Sequence, residues 1–269
     1  MAARFPSYGA GRWRVALERL LDPLCPRLCL ACDGRVEAGG ATLHLCRACR
    51  GRLAPLPGGA CVRCARPLPG GRARPPICGG CAVSPPPWAR LVAVWRYQPP
   101  LDAVVRSFKY RRLEFLGAEL AAAALPRLAG RLPPIDAALA VPLSWPRRIA
   151  RGFNQAERFG RPVAAALDIP WIAGLGRRAC APRQVGRSRH DRLARSAGEF
   201  RVAWPQRVAG RDLLLIDDVL TTGATAGAAS RALLAAGARS VTVLVAAWRP
   251  PPGVGGAPNA ARRARLDRD

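Results

Sequence analysis

The stretch LLLIDDVLTTGAT, Leu213–Thr225, decides how the chain folds. Four apolar residues lead into two adjacent carboxylates, Asp217 and Asp218, and then into a loop of Thr and Gly. A short apolar run closed by turn signals reads as a buried strand. DLLLIDDVL is one such strand, and LVAVWRY, DAALAVPL and VTVLVAAW read the same way. Helical spacing fills the intervals. LDAVVRSFKYRRLEFLGAELAAAALPRLAG reads as a helical stretch ending at Gly, and AGAASRALLAAGARS as a second helix with Gly at its end. Strands alternating with helices predict an α/β domain with a parallel sheet covered on both faces. Ligands of such sheets sit at the carboxyl ends of the strands, where Asp217 and Asp218 fall.

The loop itself suggests the ligand. Thr221, Thr222, Gly223, Ala224 and Thr225 join the strand to the following helix. Backbone N–H groups at a helix start, with hydroxyls beside them, cradle phosphate, and Gly223 lets the backbone come close to it. Two aspartates just before the cradle would repel a bare phosphate, so they must face hydroxyls or a metal. A phosphorylated sugar meets both demands. A P-loop nucleotidase also has an apolar strand ending in Asp, but it requires Gly-x4-Gly-Lys-Ser/Thr. The one Lys of this chain, Lys109, lies in RSFKYRR without those glycines. That alternative fails.

Nine of the ten cysteines lie between Cys25 and Cys81. Eight of them repeat one pattern with a period of 32 residues: Cys29-x2-Cys32-x13-Cys46-x2-Cys49, then Cys61-x2-Cys64-x13-Cys78-x2-Cys81. Each Cys-x2-Cys turn puts two thiolates on one side of a knuckle, and two knuckles complete a tetrahedral S4 site for Zn²⁺. Spacing leaves open whether the knuckles pair in sequence or interleave. Redox-active Cys-x2-Cys motifs need a strand and a helix that the Gly/Pro/Arg-rich flanks do not supply. With four thiolates per ion and no open position, the zinc is structural, and this segment needs it to fold. Cys25 reads as a buried thiol, and His44 as a packed or exposed residue of the ribbon.

The domain expectations follow: an amphipathic helix over 1–24, a double zinc-ribbon region over 25–85, an α/β domain over 86–250 and a disordered basic tail over 251–269. The Pro triplet in SPPPWAR marks the central boundary. No run is long and apolar enough for a membrane span, and the N-terminal stretch lacks the apolar core of a signal peptide, so a cytoplasmic protein is expected. The net charge of +26 rests on 42 Arg and one Lys. Such a field favours polyanions; GC-rich codon usage is the competing explanation. Trp88, Trp95, Trp145 and Trp204 offer stacking platforms for bases, but core positions are the simpler expectation.

LLLIDDVLTTGAT resembles the phosphoribosyl-pyrophosphate (PRPP) motif of type I phosphoribosyltransferases. Joined to the cysteine knuckles, it resembles the ComF/ComFC family of competence-associated, phosphoribosyltransferase-like proteins. VPLSWPRRIARGFNQAERFGRPVAAAL adds that family's Pro-x-Ser and Arg-Gly-Phe-Asn-Gln elements, and FKYRR its Lys-Tyr element. The likeness spans roughly residues 20 to 250.

The resemblance implies a type I phosphoribosyltransferase-like fold with Asp217 and Asp218 on the ribose hydroxyls, directly or through hydrated Mg²⁺. Thr221, Thr222, Gly223, Ala224 and Thr225 would hold the 5-phosphate. Ser144 to Arg148 would occupy the pyrophosphate loop. Arg151, Asn154 and Gln155 fall in the family signature, although Asn154 also suits an ordinary helix cap. RRACAPRQVGRSRHDRLARSAGEFRV aligns with the mobile hood of such enzymes. Gln184, Arg192, Gly198 and Phe200 are kept, whereas Arg195 stands where the family has Asn. His190 in the hood reads as an exposed residue and Cys180 as inert. The implied function is PRPP and Mg²⁺ binding with single-stranded DNA contact, in DNA uptake and natural transformation. An active phosphoribosyltransferase of nucleotide salvage and a zinc-ribbon module docking a helicase or uptake component are the alternatives.

Overall fold

The computed structural model describes residues 26–37, 42–56, 59–68, 76–178 and 198–250. The expectations for the helix over 1–24, Cys25, the hood residues Cys180, Gln184, His190, Arg192 and Arg195, and the tail over 251–269 lie outside the described residues.

Two short helices, α1 (Arg47–Gly51) and α2 (Gly79–Val83), each start at the third cysteine of a knuckle set. Strand β1 (Arg90–Arg96) opens the α/β part, followed by α3 (Leu101–Tyr110) and α4 (Leu116–Leu128). Next come β2 (Ala137–Ala140), α5 (Trp145–Arg151) and α6 (Gln155–Ala166). A two-stranded antiparallel ribbon pairs β3 (Leu175–Arg177) with β4 (Phe200–Val202). The chain then runs through β5 (Asp212–Leu220), α7 (Ala224–Ala235) and β6 (Ser240–Trp248). The main sheet is entirely parallel, in the order β1-β6-β5-β2.

The four strands expected from the apolar runs are present, and β5 coincides with DLLLIDDVL. The helical stretch after β1 is two helices rather than one. Arg112 adopts φ 55° between them, a left-handed conformation that no α-helix continues through. This break lets α3 end beside the inner strand β5, where Lys109 reaches Asp218, while α4 packs on α6. The packing is close: a Cβ on Gly117 would lie 2.7 Å from the Cβ of Arg158.

Period-2 geometry divides the strands between two cores. Leu214 and Ile216 of β5, with Leu244 and Ala246 of β6, face the cluster built from α3, α4 and α6. Leu213, Leu215, Val241, Val243 and Val245 face the cluster that includes Ala228, Ala229 and Leu233 of α7. At the amino end of the sheet, Asp136 accepts from the Asp212 N–H, and Asp212 accepts from Ser240 and Arg239. These bonds pin the register of β2, β5 and β6 at the end opposite the site.

The two cysteine units sit differently on this frame. Val36, Leu43, Leu45, Cys29 and Cys49 join the same apolar cluster as Trp95, Leu101 and Leu120. His44 stacks on Phe115 at 4.7 Å and lies 3.7 Å from Glu119, so it docks the first unit onto α4. The second unit has a small cluster of its own, Cys61, Cys78 and Cys81 with Cys64, Leu68 and Ile77 around it, and adds Ala65 to the cluster that holds Trp88.

Candidate functional site

At the carboxyl end of β5, Asp217 and Asp218 open into a cleft of about 250 Å³. Alternation sends Asp218 to the side of Leu214 and Ile216, where α3 ends. Lys109 in the last turn of α3 meets Asp218 there at 2.9 Å, with both side chains largely buried. Asp217 accepts the Asp218 N–H at 2.9 Å. Burial, and then the Asp218 charge beside it, push the Asp217 carboxyl up to about 7, although Lys109 pulls the other way. One of two adjacent carboxylates is therefore harder to ionise than an ordinary aspartate, a cost that a cation or hydroxyl donors beside the pair would relieve.

The cleft is otherwise cationic. Lys109, Arg147, Arg151, Arg177 and Arg249 all line it, with Tyr97, Thr221 and Thr225. Arg249 stacks over the Tyr97 ring, and Arg177 is ion-paired with Glu199 across the β3–β4 ribbon. Thr221, Thr222 and Gly223 form the turn, and Ala224 and Thr225 begin α7, so the loop is shorter than its five residues suggest. Gly223 takes φ 76°, the left-handed region that favours glycine. The Ala224 N–H points at the Thr222 hydroxyl at 3.4 Å. Thr221 through Thr225 also ring a small depression beside Asp217.

Of the residues expected in the pyrophosphate segment, Ser144 and Arg148 do not line the cleft, whereas Pro142, Leu143 and Arg147 do. Helix geometry explains the exchange: Arg147 and Arg151 are one turn apart on one face of α5, and Arg148 is rotated away from it. Asn154 and Gln155 do not line the cleft either. Asn154 caps α6 by accepting from the Ala156 N–H at 3.1 Å, and it donates to the Val141 carbonyl at 3.0 Å. Gln155 is buried and accepts from Arg151 at 3.1 Å. Phe153 packs on Phe108 at 5.4 Å. The Arg-Gly-Phe-Asn-Gln run thus fastens α6 to the end of β2 and aims Arg151 into the cleft.

Lys109, Arg177, Arg249 and Tyr97 were not singled out as site residues by sequence reasoning. Lys109 carried a signal, being the one Lys among 43 cationic residues. The others come from distant segments that only the fold brings together. Two of the four tryptophans also depart from expectation. Trp88 and Trp95 are buried, but Trp145 is 70% exposed and Trp204 43% exposed. Helix α5 buries no residue, which leaves Trp145 and Ile149 on its surface. Trp204 lies against Gly174 with Arg207 stacked at 4.8 Å and stays partly open to solvent.

Both cysteine tetrads are assembled in sequence, Cys29/Cys32/Cys46/Cys49 and Cys61/Cys64/Cys78/Cys81, with all sulfurs of a set within 4.8 Å of one another. The knuckles do not interleave. Burial raises the Cys61 thiol, but the surrounding N–H groups of Cys78, Arg63 and Cys64 outweigh it and bring it to about 7. Cys29 is brought to about 7 in the same way. Burial and crowding by its neighbours push Cys49 up to about 12. Four such thiols ionise together only around a cation, and the donor set fits tetrahedral Zn²⁺. Among the described residues, no helix is long and apolar enough to cross a membrane.

Residues 20–82 match the double zinc ribbon domain family. The chain is 35% identical over 217 residues to the "DNA utilization protein YhgH" of Salmonella typhi, covering 74% of this chain and 94% of that protein. It is 33% identical to the protein of the same name from Escherichia coli K12, again covering 74% and 94%. It is 28% identical over 222 residues to "Competence protein F" of Haemophilus influenzae, covering 80% and 94%. A solved structure, "Structure of the allosteric regulatory enzyme of purine biosynthesis", is similar over 51% of this chain and 25% of its own, at 22% identity and a TM-score of 0.31.

Proposed function

The chain belongs to the family of the DNA utilization protein YhgH and Competence protein F, and from that premise we propose that it serves DNA utilization and uptake through a phosphoribosyl-binding site. The observation that carries the reading is the cleft itself, where Asp217 and Asp218 stand beside a Thr-rich helix start and five cationic side chains. In this reading the ligand is PRPP. Thr221, Thr222 and the N–H groups at the start of α7 receive the 5-phosphate. Asp217 and Asp218 hold the vicinal ribose hydroxyls or the water shell of the Mg²⁺ that accompanies the diphosphate. Lys109, Arg147 and Arg151 neutralise the diphosphate, which is the task of a site that binds or releases pyrophosphate. The two tetrads hold structural zinc.

The DNA partner belongs on the flank of α5. Trp145, Ile149 and Tyr110 are exposed there among Arg147, Arg148, Arg111 and Arg112. Arg112 donates to the Ala150 carbonyl, and Arg151 lies over the Tyr110 ring, so the end of α3 and α5 form one surface. Exposed aromatic rings among cations suit single-stranded DNA.

Calorimetric titration of the zinc-loaded chain with PRPP and Mg²⁺ tests the first part, with Asp217→Asn/Asp218→Asn alongside. Binding by the wild type that the folded double variant lacks is the expected result; equal binding by both removes the ribose assignment. For the second part, Trp145→Ala should weaken binding of an oligothymidylate in fluorescence anisotropy. No change on that substitution would move the DNA surface elsewhere.

A further inference from the structure

Trp88 is 6% exposed and links two units that the sequence separates. Its indole N–H donates to the Arg63 carbonyl at 2.7 Å. Arg63 is one of the two residues inside the Cys61–Cys64 knuckle. The carbonyl of the other, Val62, accepts from the Leu91 N–H of β1, also at 2.7 Å. The knuckle of the second ribbon is thus hydrogen-bonded on both of its internal carbonyls.

The six-membered ring of the same Trp88 lies against the first turn of α7. A Cβ on Gly223 would stand 2.8 Å from its Cη2, and one on Gly227 3.7 Å from its Cζ3. The Gly227 N–H to Gly223 carbonyl bond, 2.7 Å, closes that turn beneath the ring. Beside this contact the loop borders an open groove of about 660 Å³, lined by Arg66, Pro86 and Trp248 among others.

The two ribbons differ in what holds their shape. The first places Cys29, Val36, Leu43, Leu45 and Cys49 in one apolar core of the sheet, whereas the second adds only Ala65 to the other core beside its own cysteine cluster. Without metal, the second knuckle loses most of what orders it.

We propose that Trp88 is a positioning residue coupling zinc in the Cys61/Cys64/Cys78/Cys81 tetrad to the phosphate-receiving loop Thr221–Thr225. A metal-shaped knuckle presents the Arg63 carbonyl, that carbonyl fixes the indole, and the indole holds Gly223 and the first turn of α7 with their N–H groups ready for an anion. The proposal rests on reading this loop as the phosphate site.

The test uses the full zinc-loaded chain with PRPP and Mg²⁺ as probe. Trp88→Phe removes both the bond to Arg63 and the outer ring edge, Cη2 and Cζ2, that meets Gly223, and the loss of one such bond alone predicts PRPP affinity about fivefold weaker. Cys81→Ser, read by native mass spectrometry as one fewer zinc per chain, weakens PRPP at least as much. Combined, the two substitutions lose no more than Cys81→Ser alone, because they break one relay. Reciprocity requires that saturating PRPP raise zinc affinity in a chelator competition for the wild type and not for Trp88→Phe. Wild-type PRPP binding with Trp88→Phe unaffected overturns the coupling alone, as do losses that multiply in the double variant. A wild type that binds no PRPP overturns the phosphoribosyl reading together with the coupling.

Discussion

Asp217→Asn should make the protein more stable and its site worse. In the folded chain the Asp217 carboxyl is pushed from 3.8 to about 7, by burial first and by Asp218 second. In the unfolded chain it titrates at its ordinary value. Between those values the folded state holds a proton that the unfolded state has released, so stability falls as pH rises through this window and levels off above 7. The full difference corresponds to about 4 kcal/mol, and partial water contact trims it to about 2–3 kcal/mol. Asn at 217 keeps the oxygen that accepts the Asp218 N–H and removes the charge. Urea unfolding followed by tryptophan fluorescence should show the variant near the wild type at about pH 4 and about 2–3 kcal/mol more stable at about pH 8.5. PRPP binding by the same variant should fall. Equal stability at both pH values, or a variant destabilised at about pH 8.5, would refute the claim that the carboxylate pair is an unfavourable arrangement kept for a ligand.

Lys109→Met should raise the Asp217 pKa further, since the ammonium opposes the shift, and so move the pH midpoint of Mg²⁺-dependent PRPP binding upward. Calorimetry across pH would detect it, and an unmoved midpoint would place Lys109 outside the site. Gly117→Ala should cost about 1–3 kcal/mol in thermal or urea unfolding, because its Cβ meets the Arg158 backbone oxygen at 2.7 Å between α4 and α6. A near-neutral result would show those helices free to separate. Native mass spectrometry of the intact chain should find two zinc ions, and Cys29→Ser and Cys61→Ser should each remove one. Of the two, Cys29→Ser should be the more destabilising, since Cys29 lies in the main core.

Much of the architecture was legible because it is local. Four apolar runs became the four strands of one parallel sheet. The Cys-x2-Cys spacing announced two tetrads, and Asp217 and Asp218 fell at the carboxyl end of their strand. The misreadings arose where neighbours in space override neighbours in sequence. The helical period from Leu101 to Leu116 contains no Gly or Pro, yet Arg112 takes a left-handed turn and α4 packs on α6. Trp145 looks like a core residue by type, but its helix lies on the surface. Asn154 and Gln155, whose roles the family signature left open, are no misreading: Asn154 is the helix cap that its type suggested, and Gln155 accepts from Arg151.

What the sequence determined alone is whatever depends on period and spacing: the apolar strands, the knuckle geometry, and the Thr-Gly turn after two acids. Those properties are set by backbone repeat lengths within a few residues. Only tertiary structure decided which knuckles form one tetrad, that Lys109 meets Asp218 at 2.9 Å, and that Arg147 rather than Arg148 enters the cleft. It alone set Trp88 between Arg63 and Gly223. These are contacts between segments tens of residues apart, and the two-sided burial of the sheet brings them together.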